Sequence, residues 1–266
     1  MSRTWVFADY SQAEARVVAW RGPVPKLKEW FRNKEDCHLN VAKLIGKVVQ
    51  ANKLKLPNGL FGNKPWNEFV KKDPERQIGK NCVHSGSYGV GSDKWALIAS
   101  LPEPIARVIL TLYYKLLPEI KSGYQVYIDD CLSKNSTIIT PLGRCHTFYD
   151  RPGPDRSRSA YSLYAQCTVG DLLSICLNRV NHCFGNLDSI QGPVTPFAIS
   201  QCGLDTALQE HDAIGVRCNE DDIDNVCGII DKCGKIPMEI AGDTLTIPMD
   251  FKVGPSWGEL IDYTPR

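Results

Sequence analysis

The sequence predicts an α+β fold, a small and largely antiparallel sheet interrupted by a mostly helical insertion. Three observations lead there. A short apolar run, Trp5-Val6-Phe7-Ala8, opens the chain in the manner of a buried strand. Two strand-turn-strand patterns read as hairpins: Ser136–Thr140 with Arg144–Phe148 around Pro141-Leu142-Gly143, and Thr206–His211 with Ile214–Cys218. Most of the chain between the first strand and the last hairpin has helical composition and helix start signals.

Taken in order, a strand is expected at about 3–8, followed by a helix from Ala13 to Trp20. Residues 21–72 are basic and punctuated by Gly and Pro, with a helix near 36–50 and a loop from Lys53 to Phe61. Asp73-Pro74-Glu75-Arg76 is a strong helix start, Asp as N-cap and Pro in the first turn, where its missing N–H costs nothing. That helix carries Arg76, Lys80, His84 and Tyr88 at successive four-residue steps, on one slowly drifting face. Helices at about 103–116 and 118–133 precede the first hairpin. Tyr149 to Arg158 reads as a loop, 159–183 as a long helix and 185–205 as loop. After the second hairpin, whose turn holds Asp212, come a helix at about 220–232 and a strand pair near 236–253.

A chain of 266 residues can bury a sizeable core, and no apolar run approaches the 18 residues of a membrane span. No signal peptide precedes Asp9, so a reduced cytoplasm is the expected compartment. The 11 cysteines include no Cys-x-x-Cys pair, which argues against a zinc site. Cys167, Cys176 and Cys183 fall in an apolar helical stretch and are expected to be buried thiols. The net charge of +1 averages two unlike regions: Arg21 to Lys94 has 15 Lys/Arg against 7 Asp/Glu, and Asp205 to Asp262 has 4 against 13. A basic region suits phosphates through counterion release; an acidic region containing Asp212 is compatible with a divalent cation.

Residue chemistry alone leaves two readings of the main candidates. Asp9, at a strand end where the backbone turns into a helix, can offer a carboxylate and a carbonyl oxygen to a hard cation such as Mg²⁺, or simply cap the helix. Arg76 and Lys80 can bind phosphates or be solvated cations. Three ordered segments decide between them. Asp9-Tyr10-Ser11-Gln12-Ala13-Glu14-Ala15-Arg16, Arg76 through Gly89, and Leu208-Gln209-Glu210-His211-Asp212-Ala213-Ile214-Gly215-Val216 resemble motifs A, B and C of the bacterial DNA polymerase I family, family A. The first matches Asp-Tyr-Ser-Gln-x-Glu-x-Arg at every specified position, and Val253-Gly254-Pro255-Ser256-Trp257 resembles the C-terminal Val-Gly-x-x-Trp.

The resemblance implies a right-hand polymerase palm, the antiparallel sheet, with a helical fingers insertion: palm over 1–20 and 159–266, fingers over 21–158. It implies a DNA-templated DNA polymerase that extends a primer with dNTPs and uses two Mg²⁺ ions. Asp9, Asp212 and Lys80 would be catalytic, with Asp9, Tyr10 and Asp212 as metal ligands. Tyr10, Gln12, Glu14, Arg76, Lys80, His84, Tyr88 and His211 would bind the dNTP, Glu14 by packing under the sugar to exclude a 2′-hydroxyl. Arg158, Gln166 and Gln209 would touch primer or template, and they read equally well as surface polar groups. Two positions depart from the family: His84 stands where Phe or Tyr is usual, and Ala213 replaces the glutamate that commonly follows the motif C aspartate.

Neither thumb nor exonuclease is expected. A second polypeptide carrying both is therefore expected to dock at an exposed palm edge near Arg3–Ala8, as in a split polymerase of a phage or plasmid acting in its bacterial host's cytoplasm. The rival readings are a non-catalytic nucleic-acid-binding remnant or subunit, which would need charge but no paired carboxylates, and an RNA polymerase or reverse transcriptase relative, of which Glu14 opposes the RNA polymerase.

Overall fold

The computed structural model describes residues 3–184 and 205–266, so the loop expected over 185–205 lies outside it but for its last residue. Two compact units are formed: Met1–Ala13 with Gln166–Arg266, and Glu14–Ala165. Among the described residues no single helix is long and apolar enough to cross a membrane.

In the first unit, β1 (Arg3–Tyr10) alternates half-exposed and buried residues along its whole length. That period of two is what a strand covered on one face requires. Its buried positions include Val6, Ala8 and Tyr10, each at most 1% exposed, and burying a side chain the size of Val6 contributes about 1.5–3 kcal/mol. β4 (Asp205–Glu210) and β5 (Ala213–Asn219) form the second hairpin, and β8 (Met249–Gly254) and β9 (Ile261–Tyr263) complete an antiparallel sheet in the order β4-β5-β1-β8-β9. The helix Ile223–Gly234, α9 in chain order, packs on β1, β5 and β8 through Val226, Cys227 and Ile230.

Two expectations are corrected here. β1 is the central strand, paired with β5 on one side and β8 on the other, so Arg3–Ala8 is no edge at which a partner could add. The strand pair expected near 236–253 divides: β6 (Met238–Ile240) and β7 (Asp243–Leu245) make their own small hairpin, whereas β8 joins the main sheet. Alternating burial is the same in both settings, so pattern alone does not assign the sheet.

The second unit is helical. It holds most of α1 (Ala13–Arg21), then α2 (Pro25–Arg32), α3 (Cys37–Ala51), α4 (Pro74–Ser87), α5 (Ser92–Ala99), α6 (Glu103–Leu116) and α7 (Val126–Asn135), which a single π-helical stretch (Ile120–Gln125) precedes. The hairpin β2 (Thr137–Ile139) and β3 (Cys145–Thr147) follows, then the long α8 (Pro154–Phe184), of which the part up to Ala165 belongs to this unit. α2 and α5, 8 residues each, were not expected from periodicity, because little more than two turns show too few repeats. α8 begins at Pro154 rather than 159, with proline serving as the start of its first turn.

α3 and α4 pack closely. A Cβ on Gly79 would lie 2.1 Å from the His38 carbonyl oxygen, so only glycine permits this approach. Asp73 precedes α4 as expected but does not cap it. Its carboxylate turns back to accept from Val70 N at 2.7 Å and to pair with Lys64 Nζ at 2.5 Å. Asp36 is the side chain that does cap a helix here, accepting from Leu39 N at 3.0 Å at the start of α3.

Candidate active site

The first unit brings two of the candidate carboxylates together. Asp9 sits near the end of the central strand, and its register neighbours are Ala213 on β5 and Asp250 on β8. Asp212 lies in the two-residue turn before Ala213, where His211 takes φ of 51° to close the hairpin. The backbone joins the two segments directly: Tyr10 N donates to the Asp212 carbonyl at 3.2 Å. Asp9 Oδ1 is buried without a hydrogen-bond partner. Burial, then the Asp212 carboxyl through charge and a hydrogen bond, then Asp250, push the Asp9 carboxyl up to about 7, against a smaller opposing effect of Lys252. A buried, unpaired carboxylate oxygen beside a second carboxylate is chemically short of positive charge, and hard divalent cations prefer such oxygen donors. Among the described residues, no group of three or more His, Cys, Asp or Glu is placed to hold a metal ion.

Tyr10 contributes no side chain to a site. Its ring is buried under the sheet, with the hydroxyl donating to Gly234 O at 3.0 Å, which leaves only its backbone for a ligand role. Gln12 follows in the strand-to-helix turn at φ of 52°. His211 and Gln209 are exposed, Gln209 on the edge strand β4, and Gln166 is exposed on α8.

The second unit assembles the other candidates around Glu14. The Tyr88 hydroxyl donates to Glu14 Oε2, and His84 Nδ1 lies 3.3 Å from the same oxygen. Burial alone would raise the Glu14 carboxyl. The hydrogen bonds from His84 and Tyr88, with the charge of Lys80, outweigh it and hold Glu14 below its ordinary range. Lys80 is exposed on α4, one turn before His84. Tyr88 is the residue that closes α4, followed by Gly89 in the left-handed region at φ of 68°. Arg158 pairs with Asp155 and, with Tyr88 and Lys94, lines an open groove of about 550 Å³.

Arg76 is engaged elsewhere than expected. Its Nε donates to Asp36 Oδ2 at 2.8 Å, tying the start of α4 to the cap of α3. His38, next to that cap, is 3% exposed, lacks a hydrogen-bond partner on either ring nitrogen and lies 5.6 Å from the His84 ring. Burial first, then the charge of His84, drive His38 down to about 3 and keep it neutral.

Sequence reasoning missed Asp250, Lys252 and His38. The alternation Met249-Asp250-Phe251-Lys252-Val253 does place the aspartate and lysine on one face. Nothing in it says which strand lies alongside, so their nearness to Asp9 emerges only from the register.

An antiparallel sheet with paired carboxylates at its centre, interrupted by a helical insertion, is the palm-and-fingers fold of template-directed polymerases. The chain belongs to DNA polymerase family A, whose family model matches residues 1–259. It is 28% identical over 188 residues to DNA polymerase I of Helicobacter pylori (strain J99 / ATCC 700824), covering 69% of this chain and 18% of that protein. With DNA polymerase I of Chloroflexus aurantiacus it shares 24% identity over 96% of this chain and 24% of the relative. Among solved structures, the POL domain of Pol1 from M. smegmatis, in complex with DNA primer-template and dNTP, superposes with a TM-score of 0.70 at 19% identity, over 96% of this chain and 40% of that one. At that identity the likeness speaks for the fold. The chain spans less than a quarter of the length of both curated relatives.

Proposed function

We propose that this chain is a DNA-templated DNA polymerase module, its palm over 1–20 and 159–266 and its fingers over 21–158, extending a primer with dNTPs. The observation that carries the reading is the backbone-tied pair Asp9 and Asp212, with the buried Asp9 oxygen lacking a partner. A pure nucleic-acid binder needs cations but has no use for two juxtaposed carboxylates. These two side chains and the Tyr10 backbone would hold two Mg²⁺ ions, which when bound supply Lewis-acid stabilisation of the attacking and leaving oxygens.

The remaining roles fall to residues of the chain. Lys80, exposed and at the end of a flexible stem, meets triphosphate oxygens as a point charge. Glu14, fixed from two sides by His84 and Tyr88, is a rigid wall beneath the sugar, so it selects against a 2′-hydroxyl. His84, standing where Phe or Tyr is usual, is committed to Glu14, which makes the sugar contact polar. Arg158, Gln166 and Gln209 contact primer or template, and Gln12, Arg76 and His211 the nucleotide; Arg76 can do so through the guanidinium nitrogens it does not give to Asp36. The proposal places the activity in a bacterial cytoplasm.

Primer extension tests this directly, with dNTPs and with rNTPs, with Mg²⁺ and with chelator. Extension should require Mg²⁺ and dNTPs, and Asp9→Ala or Asp212→Ala should abolish it while DNA binding persists. DNA binding by the parent chain without extension under any divalent cation would return the chain to a non-catalytic subunit. Native mass measurement, run alongside, would detect a second polypeptide bringing a thumb and exonuclease; its available edges are β4 and β9, not β1.

A further inference from the structure

The expectation that Cys183 is a buried thiol fails, and the failure is informative. Cys183, in the last turn of α8, is exposed, and its Sγ lies 3.6 Å from Sγ of Cys233, in the last turn of α9. None of the 10 described cysteines is in a disulfide. The pair is held in register by a third residue: Arg179, one turn before Cys183 on α8, donates Nη1 to the Cys233 carbonyl at 3.4 Å. Sulfurs in contact at 3.6 Å need to approach by only ~1.5 Å to reach bonding distance.

We propose that Cys183 and Cys233 are a modification site, a thiol pair that a small-molecule disulfide converts reversibly into an intramolecular disulfide. Their unequal exposure sets the order of events. The exposed Cys183 thiolate attacks one sulfur of the oxidant R–S–S–R, forming Cys183–S–S–R and expelling R–S⁻. Cys233, 5% exposed, is shielded from the oxidant but touches Cys183. After losing its proton to solvent base, its sulfur attacks the Cys183 sulfur and expels the second R–S⁻. Two protein thiols lose two electrons and two protons, and the oxidant leaves as two R–SH. Burial pushes the Cys233 thiol up to about 12, so this second step is the slow one.

The bond would have consequences for the first unit. It closes the chain from residue 183 to residue 233, a stretch that includes the hairpin carrying Asp212. Cys233 also precedes Gly234, whose carbonyl accepts from the hydroxyl of Tyr10, the residue that follows Asp9 in sequence. Closing a loop of that length restricts the unfolded chain and stabilises the folded one. The proposal stands on the sulfur geometry and is independent of the polymerase reading.

The test uses the full reduced chain incubated with oxidised glutathione, quenched by alkylation and mapped by peptide mass spectrometry. The expected product is a Cys183–Cys233 linked peptide, with two fewer alkylatable thiols, reversed by excess reduced glutathione. Its melting temperature should rise by about 5–10 °C. Cys183→Ser, an exposed substitution, should yield neither link nor rise, whereas Cys233→Ser should accumulate a glutathione adduct on Cys183. If Cys233→Ser fails to fold, the map of the parent chain still decides. Alkylation of both cysteines after oxidation, a persistent glutathione adduct on Cys183 of the parent, or a link to another cysteine would each overturn the proposal.

Discussion

Asp9 is ionised at the expense of the fold. Its carboxyl titrates near 7 when folded, against about 3.9 in an unfolded chain. Such an upward shift makes the charged form a penalty that is absent below about pH 4 and complete above about pH 7. Metal-free protein should therefore lose stability as pH rises through that window. Asp9→Asn removes the charge at nearly constant volume, so it should abolish primer extension yet raise the melting temperature at pH 8 by about 4–8 °C, corresponding to about 2 kcal/mol. The gain should vanish near pH 4, and differential scanning calorimetry at both pH values measures it. An unchanged melting temperature at pH 8 would mean that Asp9 is better solvated than its surroundings indicate. Glu14 presents the opposite case, a carboxylate its neighbours welcome. On the proposed role of Glu14 beneath the sugar, Glu14→Ala should open space there and raise the ratio of ribonucleotide to deoxynucleotide incorporation at least tenfold, about 1.4 kcal/mol of discrimination. Competition kinetics with dNTP and rNTP report that ratio, and no change in it would remove Glu14 from sugar selection.

At the scale of elements, α4 depends on its seat against α3. Gly79→Ala would drive a methyl group into the His38 carbonyl, and overpacking of this kind costs about 1–3 kcal/mol. Chemical denaturation should show the loss in the transition midpoint. The ion pair of Asp36 with Arg76 secures the same two helices. Burial works to raise the Asp36 carboxyl, but the Leu39 N–H and the Arg76 guanidinium prevail and hold it below its ordinary range. A lowered folded pKa contributes stability that is present above about pH 4 and lost as pH falls through the folded value. Asp36→Ala should accordingly cost about 1–2 kcal/mol at pH 7, from cap and ion pair together. The difference from the parent should narrow below pH 4, as thermal melts across pH would reveal.

The whole molecule carries its charge unevenly, with 15 Lys/Arg against 7 Asp/Glu between Arg21 and Lys94 and the reverse imbalance after Asp205. DNA affinity should fall steeply with salt even though net charge is only +1, because counterion release counts local phosphate contacts. If Arg158 makes one such contact, Arg158→Ala should weaken binding evenly across sequences and reduce the slope of log K against log salt by about 1. Fluorescence anisotropy at several salt concentrations gives the slope directly; an unaltered slope would leave Arg158 as the partner of Asp155 alone.

Much of this protein was legible before folding. Local chemistry names the elements: a short apolar run marks β1, proline marks the start of α4, and the turn at His211-Asp212 is written in the strand patterns around it. The motif residues likewise name Asp9, Glu14, Lys80, Tyr88 and Asp212 as candidates, because the chemistry of a side chain at a given step is a property of the chain. Position in space is another matter. That β1 is central, that Asp250 lies beside Asp9, that His84 and Tyr88 converge on one oxygen of Glu14, and that Cys183 meets Cys233 all depend on strand order and helix contacts. So does the diversion of Arg76 to Asp36 and of Asp73 to Lys64. The sequence by itself determined which groups this protein owns and which local elements hold them, because propensity and capping act over a few residues. Only the tertiary structure decided which groups meet, because register and packing are chosen by burial across the whole chain, and a pKa follows from that company rather than from residue type.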